Sequence, residues 1–172
     1  MAIRVLADEN IKLSILTTKP VNVEAPTAAE LNAGIDASCL VDYNSFQWAA
    51  AASTAVNERL LCEGTESSRP GAGNYNLSVT PFRWFDDTTG GFDATGDLLF
   101  EALKVKGTEV YGYVRRMDKK YSTPWAAGDE IQLGGSMLTD TPTPPDNAGS
   151  IKYLVPLSAV QMVDFGEVAA GV

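Results

Sequence analysis

Between residues 74 and 117 the apolar positions change their period twice. In NYNLSVTPFRWF, Tyr75, Leu77, Val79 and Phe85 fall on one face at a period of two. Phe82 and Trp84 add bulk on the other face, so the segment reads as a strand partly covered on both sides. In DLLFEALKVKG, Leu99, Ala102 and Leu103 take helical spacing, Asp97 stands at the start, and Lys104 and Lys106 precede Gly107. A capping residue, basic residues in the last turn and a terminal glycine predict a helix over about Asp97 to Lys106. After Gly107 the period returns to two, with Val110, Gly112 and Val114 facing one way, Tyr111, Tyr113 and Met117 the other, and Arg115 and Arg116 closing the run. One short helix packed on a mostly β domain is the expected architecture.

Upstream the pattern is weaker. Residues 1–24 mix apolar side chains with Arg4, Lys12 and Lys19. Ile11, Leu13 and Ile15 alternate as an edge strand would, and Pro20 limits its extent. The segment is expected to be an arm that orders against a neighbouring subunit. Thr27 with Glu30 three residues later is a capping box, which predicts a short helix over residues 25–33, stopped by Gly34 and poor in apolar surface. Ile35, Ala37, Cys39 and Val41 then alternate as a strand.

Residues 43–73 have no settled period, and EGTESSRPGAG at their end carries loop signals throughout. A connection that long is uncommon in a compact domain unless it has a role, and contact with a partner is one such role. Phe46 and Trp48 lie in it, and exposed aromatics are costly unless covered. Ile11, Leu13, Phe46 and Trp48 are therefore the candidate assembly residues.

Downstream, residues 119–128 form a turn-rich link around Pro124 and Trp125. Residues 129–139 return to strand with Ile131 and Leu133, and DTPTPPDNAGS is a proline-stiffened loop. Ile151, Tyr153, Val155 and Leu157 predict a strand in which Pro156 marks a bulge or an edge. A further run follows over residues 159–165. The expected organisation is an arm at 1–24, a single β-rich domain at 25–166 that includes the long loop 43–73, and an unpatterned tail at 167–172.

Composition narrows the chemistry. The 172 residues suffice for one buried core. Neither a leader-like N-terminus nor a span-length apolar run is visible, so a chain soluble where it is made, without membrane binding of its own, is expected. Thirteen Lys and Arg against 22 Asp and Glu give a net charge of −9, which argues against tight binding to a phosphate backbone. The absence of histidine excludes histidine triads, histidine bases and histidine metal ligation. Cys39 and Cys62 are too few for a disulfide scaffold or a metal knuckle and are read as buried thiols, a bridge between them being the alternative. The glycine-rich stretches lack the GKS or GKT ending of a phosphate loop. Asp86, Asp87, Asp93 and Asp97 supply carboxylates for a glycosidase pair or a calcium turn, but their spacing misses the helix-loop-helix calcium pattern, and carboxylates at turns and helix starts have ordinary capping roles. No catalytic, cofactor-binding or metal-binding residue is assigned, and no enzymatic activity is expected.

APTAAELNAGIDASCLVDY at residues 25–43, the Leu61 and Cys62 pair ahead of a strand ending FRWFDD, and the late TDTPTPPDNAGSIKYLVPL at residues 139–157 resemble the major tail tube protein of long-tailed, siphovirus-type phages of actinobacteria. The order of these segments carries the likeness, which spans residues 25–165. The resemblance implies a β-sandwich or barrel-like subunit with one flanking helix, six of which close into a ring. Stacked rings would form the virion's tail tube around the tape measure protein, meet tail terminator and tip proteins at the ends, and later pass DNA without specific binding. Synthesis in the host cytoplasm follows. The rival readings are a head decoration or head-tail connector protein, which would stop at discrete oligomers, and a carboxylate-dependent glycosidase, which would show a pocket with paired acids.

Overall fold

A computed structural model describes residues 4–62 and 64–171. In chain order the elements are β1 (Ile11–Leu16), α1 (Ala28–Ala33), β2 (Ile35–Asp36), β3 (Gln47–Ala51), β4 (Ala55–Glu58), β5 (Ser67–Pro70), β6 (Asn74–Val79), α2 (Leu98–Leu103), β7 (Glu109–Arg116), β8 (Glu130–Thr139) and β9 (Val155–Glu167). Seven strands make one sheet in the order β2-β1-β7-β8-β9-β6-β3, and β4 and β5 pair apart from it. Every strand pairing is antiparallel. The fold is mainly β and sandwich-like.

The alternation in β7 divides the interior. Val110 and Val114 enter a core with Leu13, Ile15, Trp48, Leu77 and Leu133, whereas Tyr111 and Tyr113 enter a second with Leu16, Leu31, Trp125 and Val168. The sheet curls so that β3 lies over β7 and β8. Residues 37–42 tie its ends together: the Ala37 amide donates to Leu13 (2.9 Å), the Asp42 amide to Thr80 (2.9 Å), and the Phe82 amide to Leu40 (3.0 Å).

Several expectations change. Both helices that the sequence predicts are present, each of six residues. The capping box on α1 is present, with Thr27 Oγ1 accepting from the Glu30 amide (3.3 Å) and Glu30 Oε2 from the Thr27 amide (2.8 Å). Its one large apolar side chain, Leu31, is buried in the second core, so a single residue anchors a helix that looked poor in apolar surface. Helix α2 is shorter than predicted and buries Leu99, Phe100 and Leu103. Asp97 precedes it without capping it, because its carboxylate is taken by Arg83.

Strand β1 is no edge. It lies between β2 and β7 and is paired with β7 from Ile11↔Arg116 to Leu16↔Tyr111. Its polar residues disguise this: Lys12 and Ser14 are buried, Lys12 on Asp36 (2.5 Å) and Ser14 beneath the Trp125 indole N–H (2.8 Å). From Ile11 on, the proposed arm is thus part of the domain; residues 1–3 lie outside the described residues. Residues 43–73 likewise hold three strands, β3, β4 and β5. The QWAAA of β3 shows one large apolar side chain, and AVNE and SSRP of the β4–β5 hairpin show no period because neither face is covered. Residues 155–167 form one continuous strand, bulged where Ser136 faces Gln161 and Met137 faces Ala159. The tail after it is docked: Val168 is buried, and the Ala169 amide donates to Pro26 (3.0 Å).

Candidate assembly surfaces

Three surfaces stand out. The first is a cavity of about 310 Å³ between the start of β1 and the segment leading into β3, lined by Ile11, Leu13, Val41, Tyr43 and Phe46, with Cys39 on its wall and Asp8 and Glu9 at the rim. Local hydrogen bonds shape it. Ser38 Oγ accepts from the Leu13 amide (3.1 Å), and Asp42 accepts from the Asn44 amide (3.3 Å) and from Lys152 Nζ (3.0 Å). The Lys152 bond leads the effects that hold the Asp42 carboxyl below its ordinary value.

Three of the four candidate residues, Ile11, Leu13 and Phe46, therefore meet at one place. Trp48 stacks behind Phe46 with ring centroids 6.0 Å apart. Its expected exposure is absent: Trp48 is 2% exposed and Leu13 is equally buried, while Ile11 and Phe46 pack partly against the same core. The single tryptophan among alanines serves as the core face of β3. The buried-thiol reading also fails, since Cys39 and Cys62 are both free and exposed. Strand β2 ends at Asp36, so the alternation that placed Cys39 inward stops before reaching it, and Cys62 lies in the hairpin turn.

The second surface is the β4–β5 hairpin, every strand residue of which is exposed. Its base is closed by the Gly71 amide on the Thr54 carbonyl (2.8 Å). At its turn Leu60 is largely exposed and Leu61 fully so. The third surface is strand edge. Strand β6 pairs with β9 only from Leu77↔Leu157 to Val79↔Val155, so the rest of β9, with exposed Val160 and Phe165, has no strand on that side among the described residues. Unpaired edges of this kind invite pairing with another chain.

The acidic turn is occupied locally. Asp86 accepts from the Thr88 and Thr89 amides (2.9 and 2.7 Å), Asp93 from the Gly96 amide (2.9 Å), and Asp97 from Arg83 Nε and Nη2 (2.8 and 2.7 Å). Among the described residues no three acidic, cysteine or histidine side chains come together as a metal site would need. Sequence reasoning missed Arg83, whose guanidinium lies 4.2 Å from the Phe92 ring centre and 4.0 Å from that of Phe100. It also missed Arg115, which is fully buried. Arg115 pairs with Asp129 (2.9 Å), donates to the Lys120 and Thr123 carbonyls (2.9 Å each), and fastens residues 117–129 over the sheet.

The unpaired stretch of β9 and a hairpin that buries nothing in its own subunit are surfaces open to another chain. A family model described as phage tail tube protein matches residues 1–172. The chain belongs to the phage tail tube protein family. No curated protein matches it. As a tail tube protein it is a viral structural protein of the virion tail, assembling with copies of itself into the tube and associating with other tail components. Among the described residues no helix is long and apolar enough to cross a membrane.

Proposed function

We propose that six copies close into a ring, that rings stack into the tail tube, and that the tube encloses the tape measure protein and later conducts DNA into the host. Tail terminator and tip proteins would bound the stack. The observation that carries this reading is the match to the tail tube family over the whole chain, to which the unpaired stretch of β9 and the exposed hairpin add physical sense. Lateral pairing of β9 with a neighbour would satisfy its free edge within a ring. A hairpin that buries nothing in its own subunit is suited to contact along the stack. Part of the net −9 would face the lumen, since carboxylates there repel phosphates, and screening to about 8 Å at physiological salt means only wall residues count.

Negative-stain microscopy and native mass spectrometry of the concentrated full chain test the proposal. Six-membered rings and open-ended tubes are expected. Discrete trimers, or single rings that never stack at any concentration, would favour a decoration or connector protein instead.

A further inference from the structure

Strands β6 and β9 pair from Leu77↔Leu157 to Val79↔Val155 and then diverge, yet a side-chain bond joins them again farther on. Tyr75 Oη donates to Asp164 Oδ2 at 2.9 Å. Both side chains lie on the first core's side of the sheet. Tyr75 packs partly against that core, and Asp164 stands opposite Leu133, which belongs to it. The bond thus closes the split between the two strands on that side.

The two arms of the split differ in length. At about 3.3 Å per residue, Asp164 is roughly 23 Å along β9 from Leu157, whereas Tyr75 is only about 7 Å along β6 from Leu77. One tyrosine and one aspartate side chain do not span that difference between straight strands, so β9 has to bend toward β6 for the bond to form. Two irregularities mark the bend. Ser136 faces Gln161 and Met137 faces Ala159, which leaves Val160 as the extra residue of a bulge, and a bulge bends its strand. Phe165, next to Asp164, holds a left-handed backbone (φ 52°), an uncommon and strained state for a bulky residue within a strand, and its side chain is exposed.

Between the bulge and Phe165 runs the stretch of β9 that has no strand on its β6 side among the described residues. Bent and tethered to β6, this edge is poorly placed for a ladder, which needs a partner strand running alongside at about 4.8 Å. A strand entering the split would also have to part Asp164 from Tyr75. We infer that the Tyr75–Asp164 hydrogen bond is a latch that keeps the β9 edge closed in the free subunit and is released when a neighbouring copy pairs there. The inference rests on the lateral pairing of β9 proposed above and adds what restrains it. The bond is exposed to water, so its net contribution is small enough to be exchanged for a backbone ladder.

Tyr75→Phe keeps the ring and the net charge and removes only the hydroxyl. In the full chain it should leave the circular dichroism spectrum unchanged, speed amide exchange at residues 158–164 of the monomer, and lower the concentration at which rings appear by about threefold or more. Asp164→Ala should act in the same direction, and adding Tyr75→Phe to it should change nothing further. Asp164→Asn retains an acceptor oxygen and should form rings at the wild-type concentration. If Asp164→Asn instead assembles as readily as Asp164→Ala, charge repulsion at the edge is responsible and the latch is overturned. A Tyr75→Phe chain that needs as much protein as wild type, or more, would overturn the latch while leaving lateral pairing standing. If neither wild type nor variant forms rings at any concentration, the pairing of β9 between copies falls, and the latch with it.

Discussion

The indole N–H of Trp48 donates to the backbone carbonyl of Leu133, 3.0 Å away across the core. This bond ties the last strand of the sheet to its middle. It also satisfies the only polar atom of a side chain that is otherwise surrounded by Ile15, Leu77 and Val114. Gly112 makes the approach possible: a Cβ there would come within 2.5 Å of the indole ring.

Trp48→Ala is accordingly expected to act on the subunit and not on assembly alone. Removing a buried aromatic of this size costs about 3–5 kcal/mol, and the melting temperature of the isolated chain should fall in proportion. Gly112→Ala should destabilise by roughly 1–3 kcal/mol through overpacking against the same ring. Chemical denaturation of the monomer checks both; a Trp48→Ala chain of wild-type stability would remove the indole from the core.

Truncation at the N-terminus should be sharply position-dependent. Deleting residues 1–19 removes β1, with buried Leu13 and Ile15 and the ladder to β7, and the product is expected to be unfolded by circular dichroism. Deleting residues 1–6 leaves that strand whole and should leave the fold intact.

Asp129 gives the subunit an acid-labile joint. Burial pushes its carboxyl up, but Lys119, the Ala126 amide and Arg115 together outweigh that and hold it below its ordinary 3.8. A carboxyl depressed in the folded state contributes stability that is fully present above the unfolded value and is lost as pH falls through the folded one. Asp129→Asn, which strands buried Arg115, should cost about 3–5 kcal/mol at pH 7. Urea titrations should show the difference between variant and wild type narrowing as pH drops below 3.8.

The hairpin can be excised. Thr54 and Gly71 already meet through a 2.8 Å hydrogen bond, so residues 55–70 can be replaced by a short glycine-serine link without moving β3 or β6. The expected product folds, keeps its melting temperature and forms rings that do not stack, as read by microscopy. Tubes at normal yield from the excised chain would show that the hairpin is dispensable for stacking.

The local sequence by itself determined a good part of this protein. The period of two in residues 109–116 correctly assigned Val110 and Val114 to one face and Tyr111 and Tyr113 to the other, because both faces of that strand bury large side chains and the alternation is complete. The Thr27 and Glu30 capping box and the Leu99 and Leu103 spacing located both helices, since caps and helical faces depend on residues only three or four apart. The likeness to tail tube proteins was also legible, and the match to that family supports it. What only the tertiary structure decided was everything that depends on partners far along the chain. Lys12 and Ser14 give β1 the look of an edge, yet Lys12 donates to Asp36 and Ser14 accepts from the Trp125 indole N–H. Trp48 among alanines read as an exposed loop residue because its covering, Leu133 and Gly112, lies more than sixty residues away. Arg115 read as the charged end of a strand, and only the return of residues 117–129 supplies the carboxylate and carbonyls that let a guanidinium be buried. Hydrophobic period reports whether a face is covered by apolar neighbours; it is silent where polar groups are buried by being paired, and those pairs join the pieces of this fold.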